Sequence, residues 1–286
     1  MKINTLTPNH SHYPEQLATI PSPPKKLYVL GDLTMALSTH RVAIVGSRKV
    51  TSYGIQVTQH IVQTFRGREI SVISGLALGV DSVAHRAALD AGITTVAVMP
   101  CGLDQIYPRT HHQLAQKILA AGGALLSEYP EGTPPLRQHF IARNRLVSGL
   151  SDIVIVTEAA EKSGTLHTAN FALEQGRGVL AVPGNITNPL SQGTNNLIKA
   201  GAEPLVKPSD ALFALGIDET TSNKTFMGDT EEETLVLKLL SDGVADVSEL
   251  QRRSKLPSTV FNQTLTMLEI NGLVRSLGSG QWTLVR

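Results

Sequence analysis

Cysteine is nearly missing from this chain: Cys101 is the single one in 286 residues. That excludes an intramolecular disulfide framework and a cysteine-rich zinc site. With no activating partner in sequence, Cys101 is expected to be a small buried residue. Long hydrophobic runs are missing too. No apolar stretch reaches the ~18 residues that a membrane span requires. Residues 1–24 have no positive stretch followed by an apolar one, so no secretory signal is expected, and a soluble cytoplasmic protein is the default. Charge of one sign is not in excess: 25 Lys+Arg against 24 Asp+Glu leave a formal +1. A basic site for a polyanion must therefore be local. The glycine fingerprints of tightly held nucleotides are absent, both G-x-G-x-x-G after the first strand and G-x-x-x-x-G-K-[ST]. No nicotinamide, triphosphate or other cofactor is expected. G-x-S-x-G and H-E-x-x-H are absent as well, and no nucleophile, base and orienting group come together. There is no internal repeat.

What is present is a rhythm. Residues 1–26 are rich in Pro, His and Thr, and "PSPPKK" suits neither a helix interior nor a central strand. Residues 1–40 are therefore expected to form a lead-in. From Arg41, apolar β-rich runs fall at 41–46, 70–73, 94–99, 123–127, 152–157 and 178–182. Segments of helical spacing lie between them, at 53–66, 79–90, 110–121, 139–149 and 164–175. Continuous apolar strands alternating with helices predict a doubly wound, mostly parallel sheet over 41–215, covered on both faces. Right-handed crossovers bring the loops after each strand to one rim, where such folds place ligands. Residues 216–230 are polar and turn-rich, as in a linker. Residues 231–286 then read as three helices and a hairpin. The first helix ends at Gly243, the third starts at Pro257, and the turn lies at Gly278-Ser279-Gly280. That is a small winged-helix domain.

The rim carries the informative residues. Gly46-Ser47-Arg48 follows the first strand, Ser74-Gly75 the second, and Pro183-Gly184-Asn185 the last. Ser163-Gly164-Thr165 opens a helix, with Lys162 directly before it. Glycine lets backbone N–H groups approach a ligand, and a helix N-terminus favours an anion. The alternative is that each glycine only turns a tight corner. The densest signal is "RQHFIARNR", residues 137–145, with three arginines and no acid. Guanidinium groups fork onto phosphates and rings stack on bases, so Arg137, Phe140, Arg143 and Asn144 suit single-stranded nucleic acid. Arg137, Phe140 and Asn144 share a helix face, whereas Arg145 points elsewhere. The competing reading makes Phe140 core and pairs arginines with Glu128, Glu131 or Glu158. Asp81 and His85, at i and i+4, have no third ligand and are expected to hydrogen-bond structurally. His111 and His112 are expected at the surface.

Taken in order, "VAIVGSRKVTSYG", "SGLALGVDSVAH", "VMPCGLDQIYP", "SEYPEG", "HFIARNRLVSGLS", "EAAEKSGTLHTANFALEQGR", "AVPG" and "SQGTNNLIKAGA" resemble the DNA-processing DprA family, also called Smf. The resemblance runs from Tyr13-Pro14 to Gly201-Ala202, and the winged-helix tail suits it. It implies an extended Rossmann-like domain that binds single-stranded DNA in natural transformation and recombination. It implies that the protein protects incoming strands and loads RecA recombinase onto them. It also implies a homodimer formed through the Rossmann-like domain, and no enzymatic activity as the core role. Carried onto this chain, the DNA pocket would use Arg48, Arg109, Arg137 and Phe140, with Lys162 beside Ser163-Gly164 on the same edge. The lead-in before residue 27 is short, so the N-terminal helical domain of some members, and any partner contact it makes, is expected to be missing.

The second unit is a weaker candidate for DNA. Residues 231–286 hold six Lys/Arg and seven Asp/Glu, a poor footprint for a polyanion. Arg252, Arg253 and Lys255 cluster locally, but protein contact or self-association suits the unit better. An enzyme remains the rival class. "KSGTLHTANFALEQ" also resembles the phosphate-loop region of nucleotide phosphoribohydrolases of the same fold. Their motif places a catalytic glutamate where this chain has Thr168. A third reading is a transcription regulator that uses its wing on duplex DNA.

Overall fold

The computed structural model describes residues 2–217, 228, 230–241, 244–278 and 280–284. Most of the expected linker, the Gly243 helix end and Ser279 of the hairpin turn lie outside them. Two compact units divide the chain, Met1–Ser222 and Asn223–Arg286.

The first unit is built on a nine-stranded sheet. Its strands are β1 (Asn4–Leu6), β2 (Leu27–Leu30), β3 (His40–Val45), β4 (Ile70–Ser74), β5 (Thr95–Met99), β6 (Ala124–Ser127), β7 (Ile153–Val156), β8 (Gly178–Ala181) and β9 (Glu203–Pro204). Their order is β1-β2-β6-β5-β4-β3-β7-β8-β9. From β6 to β9 every neighbouring pair is parallel, whereas β1 and β2 are antiparallel additions. Residues 1–40, expected as a lead-in, thus carry two strands that close one edge of the sheet. The four-residue run Leu27–Leu30 is too short to declare itself alone; pairing with β6 makes it a strand.

The helices are α1 (Glu15–Ala18), α2 (Leu33–Ala36), α3 (Ser52–Thr64), α4 (Val80–Asp90), α5 (His112–Ala120), α6 (Arg137–Gly149), α7 (Thr165–Glu174), α8 (Gln192–Lys199) and α9 (Asp210–Ala214). Strand side chains alternate between two faces, as the pleat requires. Ala43 and Val45 of β3 pack with α6 and α7 through Leu146, Val147, Ala169 and Ala172. Val42 and Ile44 pack on the other face with α3 and α4 through Ile61, Val62, Ala84 and Ala88. Each buried Val, Leu or Ile among them contributes roughly 1.5–3 kcal/mol.

Chain order along the sheet reverses at β3. Strands β4, β5 and β6 proceed to one side, and β7 and β8 to the other. The crevice beyond the ends of β3 and β7 is therefore the topological switch point, where open α/β sheets bind ligands. The turn after β3 is closely packed there. The Val80 N–H donates to the Ser47 carbonyl at 3.1 Å. Gly79 has φ 79°, and a Cβ on it would collide with that carbonyl oxygen, so only glycine allows the two loops to meet. Thr51 caps α3 by accepting from the Gly54 N–H at 3.2 Å. The buried Glu158 carboxylate in turn accepts from the Thr51 N–H at 2.9 Å and from its hydroxyl.

The second unit holds α10 (Glu231–Ser241), α11 (Val247–Ser254) and α12 (Ser258–Ile270), followed by the antiparallel pair β10 (Val274–Gly278) and β11 (Gln281–Leu284). This is a winged-helix arrangement around its own core of Val236, Leu240, Leu250, Phe261, Leu265 and Leu268.

Two histidines of the first unit have structural roles. His111, expected at the surface, is buried, and its Nδ1 pairs with the Leu76 carbonyl at 2.8 Å. Leu76 is a non-glycine residue at φ 56° with a fully buried side chain, so the pairing anchors a turn that its own residue type disfavours. His85 is fully buried and its Nδ1 pairs with Thr95 Oγ1 at 2.7 Å. Burial, aided by His111 and Arg143, lowers the His85 pKa from 6.5 to about 3. Below pH 6.5 the unfolded chain therefore gains a proton that the native state refuses, and stability falls as pH falls from 6.5 toward 3. Asp81, one turn earlier and raised by its burial, acts in the opposite sense. The expected outcome is that His85→Asn reduces the pH dependence of unfolding free energy between about pH 6 and 4 by nearly one proton, or ~1.4 kcal/mol per pH unit. Denaturant titrations across that range check it, and an unchanged slope refutes it.

Candidate nucleic-acid interface

The cationic residues expected at the rim divide into two groups with opposite surroundings. Arg48, at the end of β3, is exposed, as are its neighbour Lys49 and the residues Arg109, Arg137 and Lys162. Arg143 is only 4% exposed. α6 begins at Arg137, so the whole "RQHFIARNR" segment is helical. One turn separates Arg137 from Phe140, and another Phe140 from Asn144 and Arg143.

Phe140 is half-buried and is the meeting point of the site. The Arg48 guanidinium lies over its ring, 5.1 Å from the centroid. Tyr107 meets the same ring edge-on at 5.4 Å. Such a cation–π contact contributes ~0.5–1 kcal/mol at an exposed site and holds the guanidinium where its donors still face solvent. Tyr107 lies two residues before Arg109, so the contact also brings that arginine's turn to the same rim. Tyr107 is not among the residues that the sequence marks for this site. Its place in "IYPR", next to a residue that was expected, was the available signal.

The loop before α7 joins the same cluster. Thr165 Oγ1 donates to the Gly46 carbonyl at 2.9 Å, and Asn144 Nδ2 reaches the Gly164 carbonyl at 3.4 Å. The Thr165 N–H donates to Ser163 Oγ at 3.2 Å, and Lys162 projects from the start of that turn. Arg48, Phe140, Asn144, Ser163, Gly164 and Thr165 are thus brought together from three segments distant in sequence. Gly46 and Ser47 are buried, and Ser47 Oγ accepts from the Lys49 N–H at 3.1 Å. Those two residues shape the turn, while Arg48 and Lys49 present charge. A Cβ on Gly46 would lie 2.5 Å from Val80 Cγ2, so packing alone demands that glycine. Gly164 differs. Its φ is −61° and a Cβ on it would meet nothing within 4 Å, so the fold itself does not require glycine there.

Arg143 corrects an expectation. Its place beside Phe140 and Asn144 predicts a ligand-facing side chain, yet its guanidinium is turned inward. Nη1 donates to the Gly75 carbonyl at 2.6 Å and to the Val98 carbonyl. The Asp81 carboxylate close by accepts from the Gly75 and Ala77 N–H groups at 3.1 and 3.3 Å. Burial lowers the Arg143 pKa to about 10, offset by Asp81, so the group remains charged at neutral pH. Arg143 therefore clamps the ends of β4 and β5 under the rim. Arg145 is taken up by Glu128, with both carboxylate oxygens within 2.8 Å of Nη2.

The remaining candidates fall outside the cluster. Asp81 and His85 hold backbone and Thr95 respectively, and among the described residues no group of three His, Cys, Asp or Glu is placed to hold a metal. Cys101 is buried, with its thiol raised to about 11 chiefly by that burial. Thr168, at the place of the phosphoribohydrolase glutamate, is buried on α7. In the second unit, Arg252 and Arg253 both bind the Glu249 carboxylate, at 2.7 and 2.6 Å. Those bonds hold the Glu249 carboxyl down at about 2, and much of that cluster's positive charge is locally compensated.

Comparison with known proteins gives a consistent result. The sequence profile for the family described as DNA recombination-mediator protein A matches residues 4–230. The profile for the DprA winged helix domain matches residues 223–280. Protein Smf of Escherichia coli K12 is 39% identical, over 98% of this chain and 79% of its own length. The X-ray structure of DNA processing protein A from Streptococcus pneumoniae aligns at a TM-score of 0.70 and 38% identity, covering 74% of each chain. DNA processing protein A from Helicobacter pylori, in a structure concerned with its single-stranded DNA binding mode, aligns at 0.68 and 35% identity. That alignment covers 75% of this chain and 96% of the other.

The two kinds of arginine make a direct test. Arg143→Ala leaves two buried carbonyls without their donor and removes the positive charge near the buried Asp81, and is expected to cost ~3–5 kcal/mol of stability. Arg109→Ala, at an exposed position, is expected to stay within ~0.5 kcal/mol. Urea unfolding midpoints distinguish them, and equal effects would refute the assignment of Arg143 as a clamp.

Proposed function

We propose that this chain, which belongs to the DNA recombination-mediator protein A family, binds single-stranded DNA at the switch-point rim. On this reading it acts in natural transformation and recombination, protecting incoming strands and loading RecA onto them, by binding rather than by catalysis. The observation that carries the proposal is the exposed Arg48 guanidinium held over the Phe140 ring, with Tyr107 against the ring's edge. A phosphate chain with splayed bases satisfies both halves of that arrangement, whereas a duplex hides its base faces. Arg109, Arg137 and Lys162 extend positive charge along the rim, and phosphate contacts of that kind give affinity without sequence choice. Gly164, which the fold leaves free to carry a side chain, keeps the backbone open to close approach. The relatives named above, one of them studied for its binding of single strands, support the same reading, and RecA loading follows from the family resemblance.

Binding is expected to weaken steeply with salt, with a log–log slope near −0.7 for each phosphate neutralised. Arg48→Ala is expected to weaken oligo(dT) binding strongly and to lose any stimulation of RecA's ATP hydrolysis on single strands. Arg86→Ala, an exposed arginine on α4, should change neither. Fluorescence anisotropy over a salt series decides; a flat salt response, or equal effects of the two variants, counts against the site.

We also propose that the first unit forms a homodimer. Phe213 of α9 and Val206 after β9 are 79% and 74% exposed, at the end of the sheet where β9 offers a short open edge. We take that open strand edge, with two exposed apolar side chains in the segment that follows it, as the contact surface. Phe213→Asp is expected to convert a dimer to a monomer in light scattering; a dimer that survives the substitution places the interface elsewhere.

A further inference from the structure

A second ring stands on the other side of the same rim. Tyr53 lies in the first turn of α3, five residues after Arg48, and is 45% exposed. Its hydroxyl donates to the Pro183 carbonyl at 2.9 Å, just past the end of β8. In the sheet, β8 is two strands from β3, with β7 between, a span of ~10 Å at ~4.8 Å per strand. The hydrogen bond therefore ties the ring across the mouth of the switch-point crevice. A flexible surface tyrosine has no such tether.

α3 packs on the face of the sheet opposite α6. Phe140 and Tyr53 thus lie on opposite faces at the end of β3, and the turn that joins β3 to α3 carries the exposed cations Arg48 and Lys49. The loop that receives the Tyr53 hydroxyl continues to Ile186, which is 83% exposed. Ile186 borders an open surface depression together with Glu161, Gln192, Asn195 and Asn196.

We infer that Tyr53 is a second stacking platform, so that a single strand crosses the rim with one base on Phe140, its phosphates at Arg48 and Lys49, and a further base on Tyr53. This inference rests on the single-strand reading of the rim. A platform of this kind accepts any base, because every base offers a π-face. The hydroxyl's tie to Pro183 holds the ring in place before the strand arrives, which lowers the ordering cost of binding.

The test uses the full chain with an oligo(dT) of about twelve nucleotides, and an abasic phosphodiester of equal length, as probes of stacking and charge. Tyr53→Ala is expected to weaken oligo(dT) binding about 5- to 150-fold, the range for one lost base–ring stack, and to leave the salt slope unchanged. On the abasic chain it is expected to bind as the parent does, whereas Arg48→Ala remains weakened there. Tyr53→Phe keeps the ring and is expected to stay near the parent. If Tyr53→Ala binds oligo(dT) like the parent while Phe140→Ala does not, the second platform is refuted and the rim stands. If Tyr53→Phe falls as far as Tyr53→Ala, the hydroxyl tie is what matters and the stacking role is refuted. If neither Arg48→Ala nor Phe140→Ala weakens oligo(dT) binding, the single-strand reading itself fails. Tyr53 is exposed in a first helical turn, and circular dichroism of each variant confirms the fold.

Discussion

A buried guanidinium holds the working edge of this sheet together. Arg143 donates to the carbonyls of Gly75 and Val98, at the ends of β4 and β5, from a helix that packs on one face of the sheet. Asp81, from a helix packed on the other face, accepts from the N–H groups of the Gly75 turn. The strand ends are thereby gripped from both faces. Such a group is costly to desolvate, and hydrogen bonds of this quality are what offset the cost. The position of Phe140, one turn earlier on the same helix, depends on this clamp, and so does the surface that Arg48 covers.

The rim divides its cations by surroundings. Arg143 and Arg145 are committed to carbonyls and to Glu128. Arg48, Arg109, Arg137 and Lys162 are exposed and project from turns or helix starts. Buried charge gives geometry, and exposed charge gives attraction to a polyanion that salt screens. Aromatic groups supply the third component. Phe140 with Tyr107 on one side, and Tyr53 on the other, offer flat faces that carry no sequence preference. The combination fits a ligand whose charge is regular and whose bases vary.

The second unit has a different electrostatic character. Glu249 binds both Arg252 and Arg253, which reduces the field that a phosphate chain would meet. On α12, Val260, Met267 and Ile270 are 37%, 42% and 72% exposed, at spacings that place them along one stripe of the helix. Apolar side chains offer nothing to a phosphate chain, and residues 231–286 hold seven Asp/Glu against six Lys/Arg.

The alternation of strands and helices, the winged-helix tail and the rim as the place of glycines and cations could all be read from the chain alone. They follow from local periodicity and from turn chemistry, which neighbours in sequence settle between themselves. Other features came from packing across long separations. Residues 27–30 became a strand because β6 offered an edge, and His111 became buried because Leu76 offered a carbonyl. The arginines show the division most clearly. Arg48 and Arg143 are the same residue type, each beside glycine or aromatic neighbours, and their local sequences do not reveal that one faces water and the other the interior. That choice belongs to the tertiary structure, because desolvation and hydrogen bonding depend on which strand ends and helices surround a side chain. The three-dimensional arrangement likewise set Tyr107 against Phe140 and tied Tyr53 to Pro183, contacts between segments that sequence distance keeps apart.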